Sequence, residues 1–337
     1  MISIRNCTDV ETSARNRFIV MGVSMALLPR SFIRRLLVSL GTTASIATAA
    51  LVAASGTASA DPLNVGGWTS GIALGAPLPE GAYFVNIAFF IDRSAKAPGA
   101  PKIDAVVNVP VVAWSTPYKI LGGRLEVLLT TPEAVVGINP GAAVGSSWHK
   151  DIYNTAALAG LAWDLGGGWG IANYPGFWAP VNTDIGNNLG LGGNFWTFVD
   201  IASIAYNHDK WSLSANVLYH HSGNDLATGI HLQPDTVDVD FAITKHIDKW
   251  EVGLAGYAST DLNGAARNLF GAAKQSQIAL GGLVGYDFGP VSAQVYLTRA
   301  VAETNYTGYD TRLFARVTVP LWHPEAPAPQ KALVTKY

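Results

Sequence analysis

The sequence predicts an all-β protein, a twelve-stranded antiparallel transmembrane β-barrel of the outer-membrane type. Three observations predict it. Apolar residues recur with a period of two, the side-chain period of a strand. The chain is 49% apolar and only 14% charged, yet beyond residue 60 it has no run of about 20 apolar residues that could form a spanning helix. The connections between strands alternate short and long, as tight periplasmic turns and larger external loops do.

Residues 1–60 are expected to be a signal peptide. Arg34-Arg35 precedes an apolar run from Leu36 to Ala54, and Ala58-Ser59-Ala60 closes it. Asp9 and Glu11 are unusual in such a leader, which points to Met21 or Met25 as the true translation start. A membrane anchor is the alternative; Ser, Thr and Gly interrupt the run and disfavour it. Without these residues the 22 basic and 24 acidic side chains lose six arginines and two acids, leaving a net charge of −6. That argues against a nucleic-acid partner. The only cysteine, Cys7, lies in the leader, so no disulfide is expected. Residues 61–79 read as a short periplasmic segment, 80–322 as the barrel and 323–337 as a disordered, Pro-rich tail.

Within the barrel, Trp211, Leu213, Ala215, Val217 and Tyr219 alternate with Ser212, Ser214 and Asn216. Val237, Val239, Phe241 and Ile243 alternate with Asp238, Asp240 and Thr244. Twelve such segments lie near 81–92, 102–115, 120–134, 149–165, 168–179, 194–208, 210–222, 234–247, 249–260, 274–288, 290–303 and 309–322. The longer connections include 135–148, 180–193, 223–233 and 261–273. Asp-Lys-Trp occurs twice, at 209–211 and 248–250. A propeller blade would also give a period near 40, but it requires the motif in several blades. Two copies instead fit a tight turn followed by the first residue of a strand. Trp169, Trp211 and Trp250 then form part of an interfacial aromatic girdle.

Parity assigns charged residues to the lumen: Asp104, Arg124, Glu126, Asp200, Asp238, Asp240, Glu251, Arg312 and Arg316. They would keep the interior hydrated and rigid, or line a cation-leaning pore. Phe84, Asn86, Phe90, His220, Gln294 and Tyr296 are assigned to the same face. The aromatics among them would fill a narrow barrel or form a track for an aromatic solute. His220, Ser222 and Asn224 have the spacing of an outer-membrane phospholipase site, but that chemistry needs a bilayer-facing nucleophile and base, and parity points His220 and Ser222 inward. Asp238 and Asp240 sit side by side on one strand face with no sugar platform in sight. The Gly-rich stretch 187–193 lacks the helix and the Lys-Ser/Thr of a phosphate loop. The seven histidines form no metal signature, and no cofactor is expected.

The stretch Gly75-Ala-Pro-Leu-Pro-Glu-Gly-Ala-Tyr83-Phe-Val-Asn86 resembles the start of the meta-pathway phenol-degradation family of outer-membrane transporter barrels. Leu121-Gly-Gly-Arg-Leu125 and Gly193-Asn-Phe-Trp-Thr-Phe198 resemble its further short motifs. The resemblance spans roughly 70–322. It implies uptake of aromatic or other hydrophobic compounds. The expected function is that of a passive channel or uptake protein for small solutes, aromatic ones included, and not of an enzyme. The chain departs at its end: Trp322 would be the aromatic residue that closes the last strand, but fifteen more residues follow it. A structural or adhesion barrel with a plugged lumen is the runner-up reading, and a lipid-active hydrolase the third. Expected partners are outer-membrane lipid, a small-molecule solute and the barrel-assembly machinery.

Overall fold

A computed structural model of the chain describes residues 66–95, 102–139, 147–181, 194–231, 233–262, 274–305 and 308–324. The proposed leader and all but the first two residues of the tail lie outside them. The strand segments are β1 (Gly81–Ala95), β2 (Lys102–Ile120), β3 (Gly123–Thr130), β4 (Glu133–Asn139), β5 (Ser147–Ile152), β6 (Thr155–Gly166) and β7 (Trp169–Ala179). They continue as β8 (Thr197–His208), β9 (Trp211–Ser222), β10 (Thr236–Ile247), β11 (Trp250–Asp261), β12 (Ser276–Asp287), β13 (Ser292–Thr304) and β14 (Gly308–Trp322). All pairings are antiparallel, and β1 pairs with both β2 and β14, which closes the sheet on itself.

Two spanning strands are each interrupted once. Between β3 and β4 lie Thr131 and Pro132; between β5 and β6 lie Tyr153 and Asn154. Pro132 has no N–H for the ladder, and its carbonyl accepts the Tyr153 N–H at 2.7 Å. Thr130 pairs with Ala156 and Glu133 with Ile152. Three residues on one strand therefore oppose two on the other, which is a β-bulge. Counting each interrupted pair once gives a closed ring of twelve spanning strands. The expected loop over 135–148 is strand at both ends, since 135–139 and 147–148 belong to β4 and β5, which pair and extend the wall past the bulge; 140–146 lie outside the described residues.

Alternate residues point to opposite sides of the wall. In β9 the even positions from Ser214 to Ser222 are buried, among them Asn216, Leu218 and His220, while Trp211 and Val217 are exposed. In β10 the buried row is Thr236, Asp238, Asp240, Ala242 and Thr244. The outer face carries large exposed apolar residues, including Leu254, Leu280, Leu297 and Leu313, the band that hydrocarbon requires.

The Asp-Lys-Trp turns differ in backbone. Asp209 and Lys210 both have positive φ (50° and 66°), as a two-residue I′ hairpin demands; in the second copy Asp248 alone does (53°). Trp169 packs on Tyr206 and Trp250 on Tyr286, each at 4.8 Å between ring centroids. The Lys245 ammonium lies over the Trp211 ring. All three tryptophans are exposed on the outer face at the short-turn end.

Candidate functional site

The interior is occupied by the chain itself. Residues 61–79 read from sequence as periplasmic, but the described part of that segment, 66–79, runs inside the barrel. Its backbone groups are the reason: each must find a hydrogen-bond partner when buried, and the wall supplies them. Asp240 accepts the Gly67 N–H at 2.6 Å, the Thr69 N–H at 2.8 Å and the Thr69 hydroxyl at 2.7 Å. Asn216 Nδ2 donates to the carbonyls of Thr69 and Ile72. Arg312 donates to Gly66 O at 2.7 Å, Arg316 to Ser70 O at 2.9 Å and Tyr296 to Gly67 O at 2.9 Å. Farther along, Leu78 N–H donates to Glu126 Oε1 at 2.8 Å and Ser115 Oγ donates to Leu78 O.

The segment leaves through a narrow gap. A Cβ on Gly75 would stand 2.6 Å from Ala205 N and 2.8 Å from Gly170 O, and one on Gly170 would stand 2.4 Å from Gly75 O. Only glycine at both places lets the two backbones pass. The Tyr83 hydroxyl then donates to Pro79 O at 2.9 Å, fixing the turn into β1. The motif 75–83 is thus the exit of the lumenal segment and its splice to the wall.

The lumen has two unlike halves. β9 to β14 present polar side chains in linked sets. Arg316 donates to Gln294 Oε1, Gln294 Nε2 to Glu251 Oε2, and Thr244 Oγ1 to Glu251 Oε1. Toward the long-loop end Asp310 accepts Arg93 Nε at 2.5 Å and Arg312 Nη2 at 2.8 Å. Arg312 also lies 4.6 Å from the Tyr257 ring centroid, and Tyr257 donates to Gln277. Paired this way, buried charges avoid the cost of isolation. The opposite half, β1 to β3 and β6 to β8, is mostly apolar, with Ile87, Phe89, Val109, Ala113, Leu158, Ala162, Val199 and Ile201 buried.

Between that apolar half and the segment is a cavity of about 140 Å³. Ile72, Leu74 and Leu78 of the segment line it, with Val85, Val111, Leu128, Leu158 and Ile201 of the wall. Its polar lining residues include Trp68, Thr69, Tyr83, Glu126, Thr130 and Tyr174. The Tyr174 hydroxyl lies 2.8 Å from Glu126 Oε2 and 3.1 Å from Leu74 O.

Of the residues assigned to the lumen from sequence, Arg124, Glu126, Asp238, Asp240, Glu251, Arg312, Arg316, His220, Gln294 and Tyr296 lie on the inward rows of their strands. Asp104, Asp200, Phe84, Asn86 and Phe90 do not. In β1 the buried row is Ile87, Phe89 and Arg93, and Phe90 is 49% exposed; Phe84, Asn86 and Phe90 share the outer row. In β2 the inward row is Ala105, Val109 and Ala113, so Asp104 faces out, opposite Asp92. In β8 Val199, Ile201 and Ser203 face in, so Asp200 faces out. The outward polar groups are paired: Asn86 Nδ2 donates to Asn108 Oδ1 at 2.8 Å and Asn173 Nδ2 to Asp200 Oδ1 at 2.7 Å. Asn86 stands opposite Pro110 and Asp200 opposite Pro175.

The phospholipase-like pair is buried in the lumen. Ser222 Oγ lies 3.3 Å from Thr197 Oγ1, and neither ring nitrogen of His220 has a hydrogen-bond partner among the described residues. Sequence reasoning passed over Trp68, Thr69, Asn216, Thr130, Tyr174 and the Arg93–Asp310 pair. The lumenal segment is held through its backbone, and only the Gly-Pro motif after it hinted at a constrained path.

A search of curated proteins finds no match. Among solved structures, an outer membrane channel from Pseudomonas putida F1 is similar in fold: TM-score 0.57, 16% identity, covering 73% of this chain and 97% of that one. The β domain of the Bordetella autotransporter Brka reaches a TM-score of 0.44 at 12% identity, covering 72% and 100%. The CymD monoaromatic hydrocarbon channel reaches 0.41 at 10% identity, covering 77% and 98%. The closed barrel and its outward apolar band place the protein in the outer membrane of a Gram-negative bacterium. A family model matches residues 64–317, and the chain belongs to that family, described as "Putative MetA-pathway of phenol degradation".

Proposed function

We propose that the protein is a passive outer-membrane channel for small apolar solutes, aromatic ones included, and that the segment 66–79 governs passage. The observation that carries this reading is the cavity of about 140 Å³ between the segment and the apolar half of the wall. A purely structural barrel gains nothing from leaving such a volume unfilled, since voids cost packing energy. Family membership and the channel function of the similar Pseudomonas putida barrel support the reading. No catalytic role is assigned to His220 or Ser222: a lipid-active site must reach the bilayer, and both are buried in the lumen.

The test is uptake. Porin-deficient cells producing the protein should accumulate labelled toluene faster than cells without it, while proteoliposomes should swell little in sugars. Equal toluene accumulation in both cell types would leave a plugged, structural barrel as the better reading.

A further inference from the structure

The outer face of β8 to β10 has a depression near the short-turn end, with a volume of about 270 Å³. Its cause is local. Ala215 stands between Ile204 and Phe241 in the outward row that crosses the three strands. The Phe241 ring leans the other way, over Gly256 of β11, where an added Cβ would come within 2.6 Å of Phe241 Cζ. The surface above Ala215 is thereby left open, and Ile204, Tyr206, Leu213, Phe241 and Ile243 wall it. All five lie on outward rows, so hydrocarbon is the medium that meets them.

A cation without a counter-ion adjoins the depression on its periplasmic side. Lys245 follows Ile243, and Trp211 precedes Leu213, by two residues on the same outward face, a step of roughly 6–7 Å. The Lys245 ammonium lies 5.1 Å from the Trp211 ring centroid and makes no ion pair among the described residues. The adjoining turns carry Asp209 with Lys210 and Asp248 with Lys249, one charge of each sign apiece, so Lys245 is the surplus cation of that rim. His208 Nε2 lies 3.4 Å from Asp209. Glu251 is on the inward row and accepts from Thr244 and Gln294. We propose that this strip binds one anionic phospholipid of the periplasmic leaflet, with its phosphate at Lys245 and one acyl chain in the depression over Ala215. The occupant follows from the place: the strip belongs to the band that meets the bilayer, and its polar end stands at the periplasmic interface. Its charge follows from Lys245, which attracts an anionic head but is opposed by the ammonium of a zwitterionic one. The site is independent of what the lumen carries.

The experiment is native mass spectrometry of the full-length protein in detergent, titrated with phosphatidylglycerol and phosphatidylethanolamine of identical acyl chains. Wild type should take up one phosphatidylglycerol at concentrations where phosphatidylethanolamine adducts are scarce. Lys245→Gln should weaken phosphatidylglycerol binding about five-fold, the contribution of one basic residue beside an anionic lipid surface, and Lys245→Arg should preserve it. Ala215→Leu, which fills the depression and leaves the charge in place, should weaken the same adduct several-fold. Retention of the heat-dependent mobility shift of a closed barrel shows that each variant has folded, and the wild-type preference between the two lipids stands even if one has not. Equal affinity of wild type for the two lipids would overturn the proposal, as would unchanged phosphatidylglycerol binding in Lys245→Gln. Unchanged binding in Ala215→Leu would overturn the assignment of the depression to an acyl chain. A lipid-free dimer that Ala215→Leu dissociates would overturn it in favour of a second copy of the chain on this face.

Discussion

Asp240 holds Thr69 twice, accepting its backbone N–H at 2.8 Å and its hydroxyl at 2.7 Å, and takes Gly67 N–H with its other oxygen. One lumenal carboxylate therefore fixes the start of the described segment. Asn in its place has one acceptor oxygen where Asp has two, and it turns an NH₂ toward donors. Asp240→Asn should loosen the segment and raise mean single-channel conductance several-fold in planar bilayers, with more frequent transitions between levels. Hydrogen bonds to a charged group are worth about 1.5–3 kcal/mol each, so the shift in occupancy is large enough to see. Unchanged conductance would mean that Asp240 is not what holds the segment in place.

The Gly75–Gly170 approach makes a second expectation. Gly170→Val drives a side chain into Gly75 O, and Gly75→Val into Ala205 N. Each should lower the yield of the heat-shifted folded form or expel the segment, readable as new protease cleavage within 66–79. Gly282, where an added Cβ meets nothing nearer than 3.9 Å, is the control. Gly282→Ala should change stability by less than about 0.5 kcal/mol.

The outward pair Asn86–Asn108 tests the corrected facing of β1 and β2. On a lipid-facing wall a polar side chain without a partner is costly. Asn86→Leu alone should destabilise the barrel by about 1–3 kcal/mol, because it orphans Asn108. Asn86→Leu with Asn108→Leu should recover that loss or exceed wild type. Urea unfolding midpoints in detergent measure both, and a purely additive loss would place the pair somewhere other than the lipid face.

The first Asp-Lys-Trp turn carries backbone strain. Lys210 sits at φ 66°, where glycine has no steric penalty. Lys210→Gly, with Asp209→Asn to complete the preferred I′ sequence, should raise the unfolding midpoint by the equivalent of about 0.5–1 kcal/mol. Lys249→Gly should not, since Lys249 does not share that conformation.

The parts of the fold legible in the sequence are those where the two faces of a strand meet different surroundings. β9 and β10 alternate visibly because their inward rows hold Asn216, His220, Asp238 and Asp240 while their outward rows meet hydrocarbon. β1, β2 and β8 face an apolar cavity on one side and lipid on the other, so both rows are apolar and period two disappears. There the sparse polar residues Asn86, Asp104 and Asp200 lie on the outward face, the opposite of what parity predicts. The lumenal segment left no pattern at all, because its ties run through N–H and C=O groups that every residue carries.

The lumenal segment is spliced to β1, and β1 shuts the ring against β14, the strand that carries Arg312 and Arg316. The seam and the seat of the segment thus share one strand, and a free-energy coupling between two such events acts equally in both directions. Drawing the segment out strips β14 of two of its inward contacts beside the closure. Slackening the closure loosens the grip on the segment. The wall is therefore mechanically uneven around its circumference, and amide hydrogens of β1 and β14 are the ones whose exchange with solvent should report whether the interior is filled.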